Sequence, residues 1–201
     1  MKITVAKTAG FCFGVNRAVE TVNRLLDEGE KVWTLGPIIH NPQTLESLAA
    51  RGVRIAQTPE EARGGVLVIR SHGVARSVLE EAERGGVRFV DATCPFVAKI
   101  HRIVQQASAE GRFVLIAGDR THPEVQGIVG HCDGGCFVFS GAHELEEFTK
   151  NHEDLSKNPV CVVSQTTFSV AEWKNSLKIV NKVYTNAAIF DTICNATANR
   201  Q

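Results

Sequence analysis

Cys94 lies in Val90-Asp91-Ala92-Thr93-Cys94-Pro95-Phe96, between an apolar run and a helical pattern. Gly86–Val90 reads as a short buried strand. Beyond the turn, Phe96, Val97, Ile100, Ile103, Val104 and Ala107 recur at helical spacing until Gly111. Pro95 suits the first helical position, where its missing N–H removes nothing. A cysteine on such a turn meets unpaired N–H groups and the positive end of a helix dipole. Both favour the thiolate, the form that binds metals. The construction recurs at Cys12, where Lys2–Ala6 alternates like a strand and Gly10-Phe11-Cys12-Phe13-Gly14 turns into a helix near Val15. It recurs again at Cys194, after the strand-like Ala188–Asp191. Asp91-Ala92-Thr93-Cys94 and Asp191-Thr192-Ile193-Cys194 thus each close an apolar run. Three such thiolates converging on one point could hold a 4Fe–4S cluster with one iron left open to a substrate oxygen. Three separate structural cysteines at strand ends fit the same pattern.

The other cysteines read differently. His131-Cys132-Asp133-Gly134-Gly135-Cys136 resembles half a zinc site, with His143 as an extra ligand, but Asp-Gly-Gly is better read as a helix-to-strand turn. Cys161 sits inside the apolar run Val160–Val163 and belongs to the core. No two cysteines are separated by two residues, so zinc ribbons, thioredoxin-type sites and ferredoxin-type runs have no support.

Three of the seven histidines, His40, His72 and His122, also follow the end of an apolar strand, each close to a glycine or proline. Imidazoles and backbone donors so placed can hold an anion such as a diphosphate without a lysine cluster. Local capping is the plainer reading of each one alone. Glu124 at a helix start complements the dipole, and Thr166 and Thr167 suit helix capping. No two glycines are separated by a single residue, so there is no dinucleotide fingerprint; the phosphate loop of nucleotide hydrolases is also absent.

The elements that must position these residues alternate regularly between strand and helix, which implies parallel sheets joined by crossover helices. Ligands of open α/β sheets bind at the strands' C-terminal edge, where all the candidates fall. Asn151–Asn158 is polar and reads as a mobile surface loop. The 201 residues carry 22 basic and 22 acidic side chains, so no global basic field points to nucleic acid. No apolar run approaches the ~20 residues of a membrane span, and no signal-peptide core is present. A reducing cytoplasm is therefore the expected setting for six cysteines, which argues against a disulfide framework.

Seven motifs, in order, carry a resemblance: Gly10-Phe11-Cys12-Phe13-Gly14-Val15, Ile39-His40-Asn41-Pro42, Ser71-His72-Gly73-Val74, Asp91–Pro95, His122–Gly127, Gln165–Ser169 and Ile193–Thr197. Together they resemble the LytB/IspH family, the 4-hydroxy-3-methylbut-2-enyl diphosphate reductases. The resemblance implies an α/β trefoil of three related units, with mostly parallel sheets, around a central 4Fe–4S cluster. Residues 1–93 would form the first unit, 94–193 the second and 194–201 the start of a third, with 1–12 able to pack on the third. Cys12, Cys94 and Cys194 would be the cluster ligands. His40, His72, His122, Thr166 and Thr167 would bind the diphosphate substrate, Thr166 also placing its hydroxyl, and Glu124 would supply a proton. Two electrons, from ferredoxin or flavodoxin, and two protons would expel the allylic hydroxyl as water. Isopentenyl and dimethylallyl diphosphate would result, at the end of the non-mevalonate isoprenoid pathway. Family members continue beyond residue 201 with a Ser-Ser-Asn-type motif and a later serine that grip the diphosphate, so these 201 residues are expected to be an incomplete form. From the residues alone, the rivals are a zinc-dependent hydrolase and a non-catalytic fragment acting only as a scaffold or binding module.

Overall fold

The computed structural model describes Thr4 and residues 10–198; the expected strand Lys2–Ala6 lies almost wholly outside the described residues. Two compact units emerge, Met1–Ser71 with Gly85–Cys94, and His72–Arg84 with Pro95–Gln201.

In the first unit, α1 (Phe13–Asp27) is followed by β1 (Val32–Leu35), α2 (Pro42–Ala50), β2 (Arg54–Ala56), a 3₁₀ turn (Pro59–Ala62), β3 (Val66–Ile69) and β4 (Phe89–Asp91). All neighbours in the sheet are parallel, in the order β2-β1-β3-β4. β3 is buried along its whole length, as a strand covered on both faces must be. Ala18, Val22 and Leu25, one face of α1, pack with Val32, Val66, Val68, Ile38 and Ala92 into this unit's core. Burying each such aliphatic side chain contributes about 1.5–3 kcal/mol. The strand expected at Gly86–Val90 is shifted to Phe89–Asp91 and is only partly buried; among the described residues β4 has one neighbour in the sheet, β3.

The second unit repeats the plan. α4 (Pro95–Ala109), β5 (Phe113–Ala117), α5 (Pro123–Val129), β6 (Cys136–Phe139), α6 (Ala142–Asn151), β7 (Val160–Ser164), α7 (Val170–Val183), β8 (Ala187–Ile189) and α8 (Asn195–Ala198) follow in order. Its parallel sheet runs β6-β5-β7-β8, the same connectivity as in the first unit. Ile100, Val104, Val125 and Ile128 pack on one face of this sheet and Leu145, Trp173 and Val180 on the other. The two sheets therefore share one plan.

The expected surface segment Asn151–Asn158 is largely exposed and contains a 3₁₀ turn, Glu153–Lys157, closed by the Leu155 N–H on the His152 carbonyl at 3.1 Å. One expectation changes. α3 (Arg76–Arg84) belongs to the second unit, although it falls between two strands of the first and inside the expected span 1–93. Its start lies on the end of α5: the Arg76 N–H donates to the Gly130 carbonyl at 3.3 Å, and Arg76 pairs with Asp133. A Cβ on Gly130 would overlap Ala75, so only glycine allows that approach.

Candidate functional site

In each sheet the strand order reverses at β1/β3 and at β5/β7; His40, His72, His122 and Thr166 follow those strands, while Cys94 and Cys194 follow the outer strands β4 and β8. Crevices outside the carboxyl ends at such reversals are the usual ligand sites of open α/β sheets.

In the first unit, Cys12 is the N-cap of α1 and half-buried, and its side chain makes no capping hydrogen bond. Gly14, the second residue of α1, is buried against Cys94: a Cβ there would stand 2.5 Å from the Cys94 Sγ. The helix that Cys12 opens therefore lies directly on the Cys94 side chain. Asp91 shapes the Cys94 turn, its Oδ1 accepting the Thr93 N–H at 2.9 Å, an Asx turn. Arg17 of α1 clamps the same turn, donating to the Thr93 carbonyl at 2.9 Å and the Asp91 carbonyl at 3.2 Å. The Cys94 N–H donates to the Ser71 carbonyl at 2.9 Å. His40 is exposed on the β1–α2 connection, just before Asn41, which caps α2 by accepting the Thr44 N–H at 2.9 Å.

The second unit repeats this construction and adds an acid. The Cys194 N–H donates to the Thr166 carbonyl at 2.9 Å, the counterpart of Cys94 on Ser71. Asp191 accepts the Ile193 N–H at 3.3 Å, the counterpart of Asp91 on Thr93. Glu124, only 2% exposed, is held at both carboxylate oxygens: the Thr166 N–H reaches Oε1 at 2.6 Å and the Thr166 hydroxyl reaches Oε2 at 2.8 Å. Burial pushes the Glu124 carboxyl above its ordinary range, and the two Thr166 bonds only partly oppose this. It is thus biased toward the protonated acid. His122 caps α5 with Nδ1, which accepts the Glu124 N–H at 3.1 Å; the neutral ring then carries its proton on Nε2. The His72 and His122 rings meet edge to face, 5.2 Å between centroids. Thr167 is exposed, and its hydroxyl accepts from the Gln165 amide at 2.9 Å.

Cys94 thus lies on the α1 turn that Cys12 opens, while His72, His122, Glu124, Thr166 and Cys194 share one chain of contacts. Four supporting residues escaped the sequence reading. Arg17 and Gln165 act on neighbours 76 and 46 positions away, which no local motif signals. Thr192, between Asp191 and Cys194, accepts the Ser164 N–H at 2.8 Å and donates to the Ser164 carbonyl at 2.7 Å. Arg70, at the end of β3, is partly buried beside Gly36, and among the described residues its Nε has no hydrogen-bond partner. A hollow of the second unit, about 910 Å³, is lined by Lys150, Lys157, Lys178 and Lys182 among others and by none of the site residues.

Fold and site define an α/β protein with thiols, imidazoles and one buried acid at the strand ends. The model of the LytB protein family matches residues 3–201, and this chain belongs to that family. It is 40% identical over 206 residues to the 4-hydroxy-3-methylbut-2-enyl diphosphate reductase of Thermoanaerobacter sp. (strain X514), and 43% over 201 residues to that of Geotalea uraniireducens (strain Rf4). Each alignment covers 100% of this chain and 69% of the relative. A solved structure of (E)-4-hydroxy-3-methyl-but-2-enyl diphosphate reductase, the terminal enzyme of the non-mevalonate pathway, superimposes with a TM-score of 0.85 at 38% identity. It covers 99% of this chain and 70% of that one. The reductase from Plasmodium falciparum gives 0.86 at 26% identity, over 96% of this chain and 61% of that one. The parallel α/β units expected from the sequence are those of these structures.

Proposed function

We propose that this protein reduces (E)-4-hydroxy-3-methylbut-2-enyl diphosphate to isopentenyl and dimethylallyl diphosphate, the last step of the non-mevalonate isoprenoid pathway. The observation that carries this reading is the Glu124–Thr166 pair, a buried carboxyl raised toward its acid form and fixed at both oxygens, inside a chain of the LytB family.

Cys12, Cys94 and Cys194 would hold a 4Fe–4S cluster. Three thiols are a donor set suited to one, the Cys12 sulfur caps no N–H of its helix, and Gly14 leaves the Cys94 sulfur its space. Such a cluster, when bound, supplies electrons to the allylic carbon–oxygen bond. The chain's own residues do the rest. His40, His72, His122 and Thr167 bind the diphosphate, the Nε2–H of His122 acting as one donor. The Thr166 hydroxyl positions the substrate hydroxyl and, through its bond to Oε2, keeps the Glu124 carboxyl aimed at the same place. Glu124 delivers the proton that lets the hydroxyl leave as water, a task for which a raised carboxyl pKa is suited. Ferredoxin or flavodoxin donates the electrons, in keeping with the absence of a dinucleotide fingerprint from the sequence. A cytoplasmic setting agrees with six free cysteines, and no helix among the described residues is long and apolar enough to cross a membrane.

The test is turnover. Anaerobically purified protein with a low-potential reductant and the allylic diphosphate should yield both products by mass spectrometry. Stoichiometric zinc with phosphate release, and no reduced product, would favour the hydrolase instead.

A further inference from the structure

Three segments that lead into strands of the first unit enclose a hollow of about 500 Å³ at the amino edge of its sheet. Lys31 precedes β1, Arg51 and Gly52 precede β2, and Arg63 and Gly64 precede β3. His40 and Cys94 follow the opposite ends of this unit's strands, and a four-residue strand is about 13 Å long. Trp33 and Arg54 are direct cross-strand partners, so both side chains lie on one face of the sheet, with the guanidinium 5.7 Å from the centre of the indole. The indole in turn rests on the Gly65 backbone, where a Cβ would stand 2.1 Å from the ring. Charge in the wall is unequal: four cations, Lys31, Arg51, Arg54 and Arg63, face one acid, Glu30. Arg88 engages Glu30 at 2.9 Å, Asp27 and Asn23 engage Arg51, and Glu60 engages Arg63 at 3.2 Å. Lys31 and Arg54 have no carboxylate partner among the described residues.

We infer that this hollow is a second diphosphate site, separate from the reductive site, and that it binds an isoprenyl diphosphate. A terminal phosphate group carries about −1.5 to −2 charges near neutral pH, which the two uncompensated cations match. The Arg54 guanidinium, held by the indole, keeps its fork of N–H groups for phosphate oxygens and loses little freedom on binding. Lys31 adds a point charge from the neighbouring segment. Nothing lies within 4 Å of a Cβ on Gly52 or Gly64, so the anion has open backbone to approach. The volume is that of a small-molecule site, larger than a free phosphate fills. Leu26 and Trp33, both half-buried in the wall, give the remainder an apolar surface. Leu26 is aliphatic and the indole already carries Arg54, so a short branched hydrocarbon fits there better than a nucleobase, which needs a free stacking face. The anion site stands on this geometry alone. The choice of an isoprenyl chain rests on the proposed reductase reading, whose products are of that class.

The experiment reads Trp33 itself. The chain has two tryptophans, Trp33 in the hollow and Trp173 in the core of the second unit. Anaerobic titration of the cluster-loaded protein with dimethylallyl diphosphate should change tryptophan emission along a saturable curve, and the Trp33 component is the part that W33F lacks. In R54Q and in K31Q the midpoint of that component should rise about 10- to 100-fold, the loss of one charge-assisted hydrogen bond. Both residues are exposed, so the variants should keep wild-type iron content and unfolding midpoint. Inorganic diphosphate and ADP should each bind at least about tenfold more weakly than dimethylallyl diphosphate, since neither places a hydrocarbon on Leu26. The readout does not depend on turnover. A protein that turns over without a Trp33 response rejects this inference alone, and a Trp33 response without turnover rejects only the reductase reading. Identical curves for wild type and W33F, unchanged midpoints in both R54Q and K31Q, or tighter binding of ADP or inorganic diphosphate would overturn the inference.

Discussion

The Glu124 carboxylate is held at both oxygens by a single residue, Thr166, whose N–H reaches one at 2.6 Å and whose hydroxyl reaches the other at 2.8 Å. Thr166 also offers its carbonyl to the Cys194 N–H. One threonine therefore orients the proposed acid and one proposed ligand together. Glu124→Gln keeps the shape and removes the transferable proton. General acid catalysis is typically worth ~100- to 10,000-fold, so kcat should fall by that order while substrate affinity, read by titration, changes little. Turnover near wild type would place the proton donor elsewhere. Because burial raises the Glu124 pKa, the acid form is lost as pH rises through that raised value, and wild-type kcat should fall with it.

The strand-end cysteines, the histidines and the Pro-initiated helices were legible because each depends on a few consecutive residues. Asp91 and Asp191 could also be read as partners of their cysteines, since an Asx turn is a local device. The Glu124–Thr166 contact, 42 positions apart, follows from β5 and β7 being neighbours; the family resemblance gave both residues roles at the substrate but did not predict their contact. The packing of α3 on α5 was illegible for the same reason: Gly130 and Ala75 meet through tertiary structure, and neither residue is unusual alone. Polarity signalled the exposure of Asn151–Asn158 but not the 3₁₀ turn within it, since exposed segments take many conformations.

Gly14 is a steric test of the Cys94 position. Gly14→Ala places a methyl group 2.5 Å from the Cys94 sulfur, inside any real contact, so Cys94 must move. Iron retention after anaerobic purification should drop sharply. Gly134→Ala, with nothing within 4 Å, should retain it. Equal iron in both variants would mean that the Cys94 position does not matter to the metal.

Thr192 ties the segment before Cys194 to β7. Thr192→Val removes the hydroxyl that accepts the buried Ser164 N–H and leaves that donor unsatisfied. Such a loss costs about 1–3 kcal/mol, to be seen as a lower unfolding midpoint. Thr192→Ser, which keeps the oxygen, should recover most of it. A valine variant as stable as wild type would show that the bond contributes nothing.

His101 and His131 stack 4.0 Å apart, both 7% exposed, and His101 Nε2 has no hydrogen-bond partner among the described residues. Burial, with a smaller contribution from His131, lowers His101 to about 3. The folded value lies below the unfolded ~6.5, so between them the unfolded chain binds more protons. This contribution is intact above about pH 6.5 and is lost as pH falls toward 3, by up to about 1.4 kcal/mol per pH unit. His101→Gln should flatten the fall in stability between pH 6.5 and 4.5. An unchanged slope would assign the acid sensitivity to other groups.

Which sulfurs hold metal decides whether this is an iron–sulfur reductase. Iron, acid-labile sulfide and visible absorption should be measured on anaerobically purified wild type and on single Cys→Ser variants at 12, 94, 194 and 161. Wild type and Cys161→Ser should carry matching iron and sulfide, close to four of each per chain for a 4Fe–4S cluster. Each of the other three should lose most of both, together with the absorption. Full iron and sulfide in Cys94→Ser or Cys194→Ser, or stoichiometric zinc in wild type, would contradict the proposed iron–sulfur site.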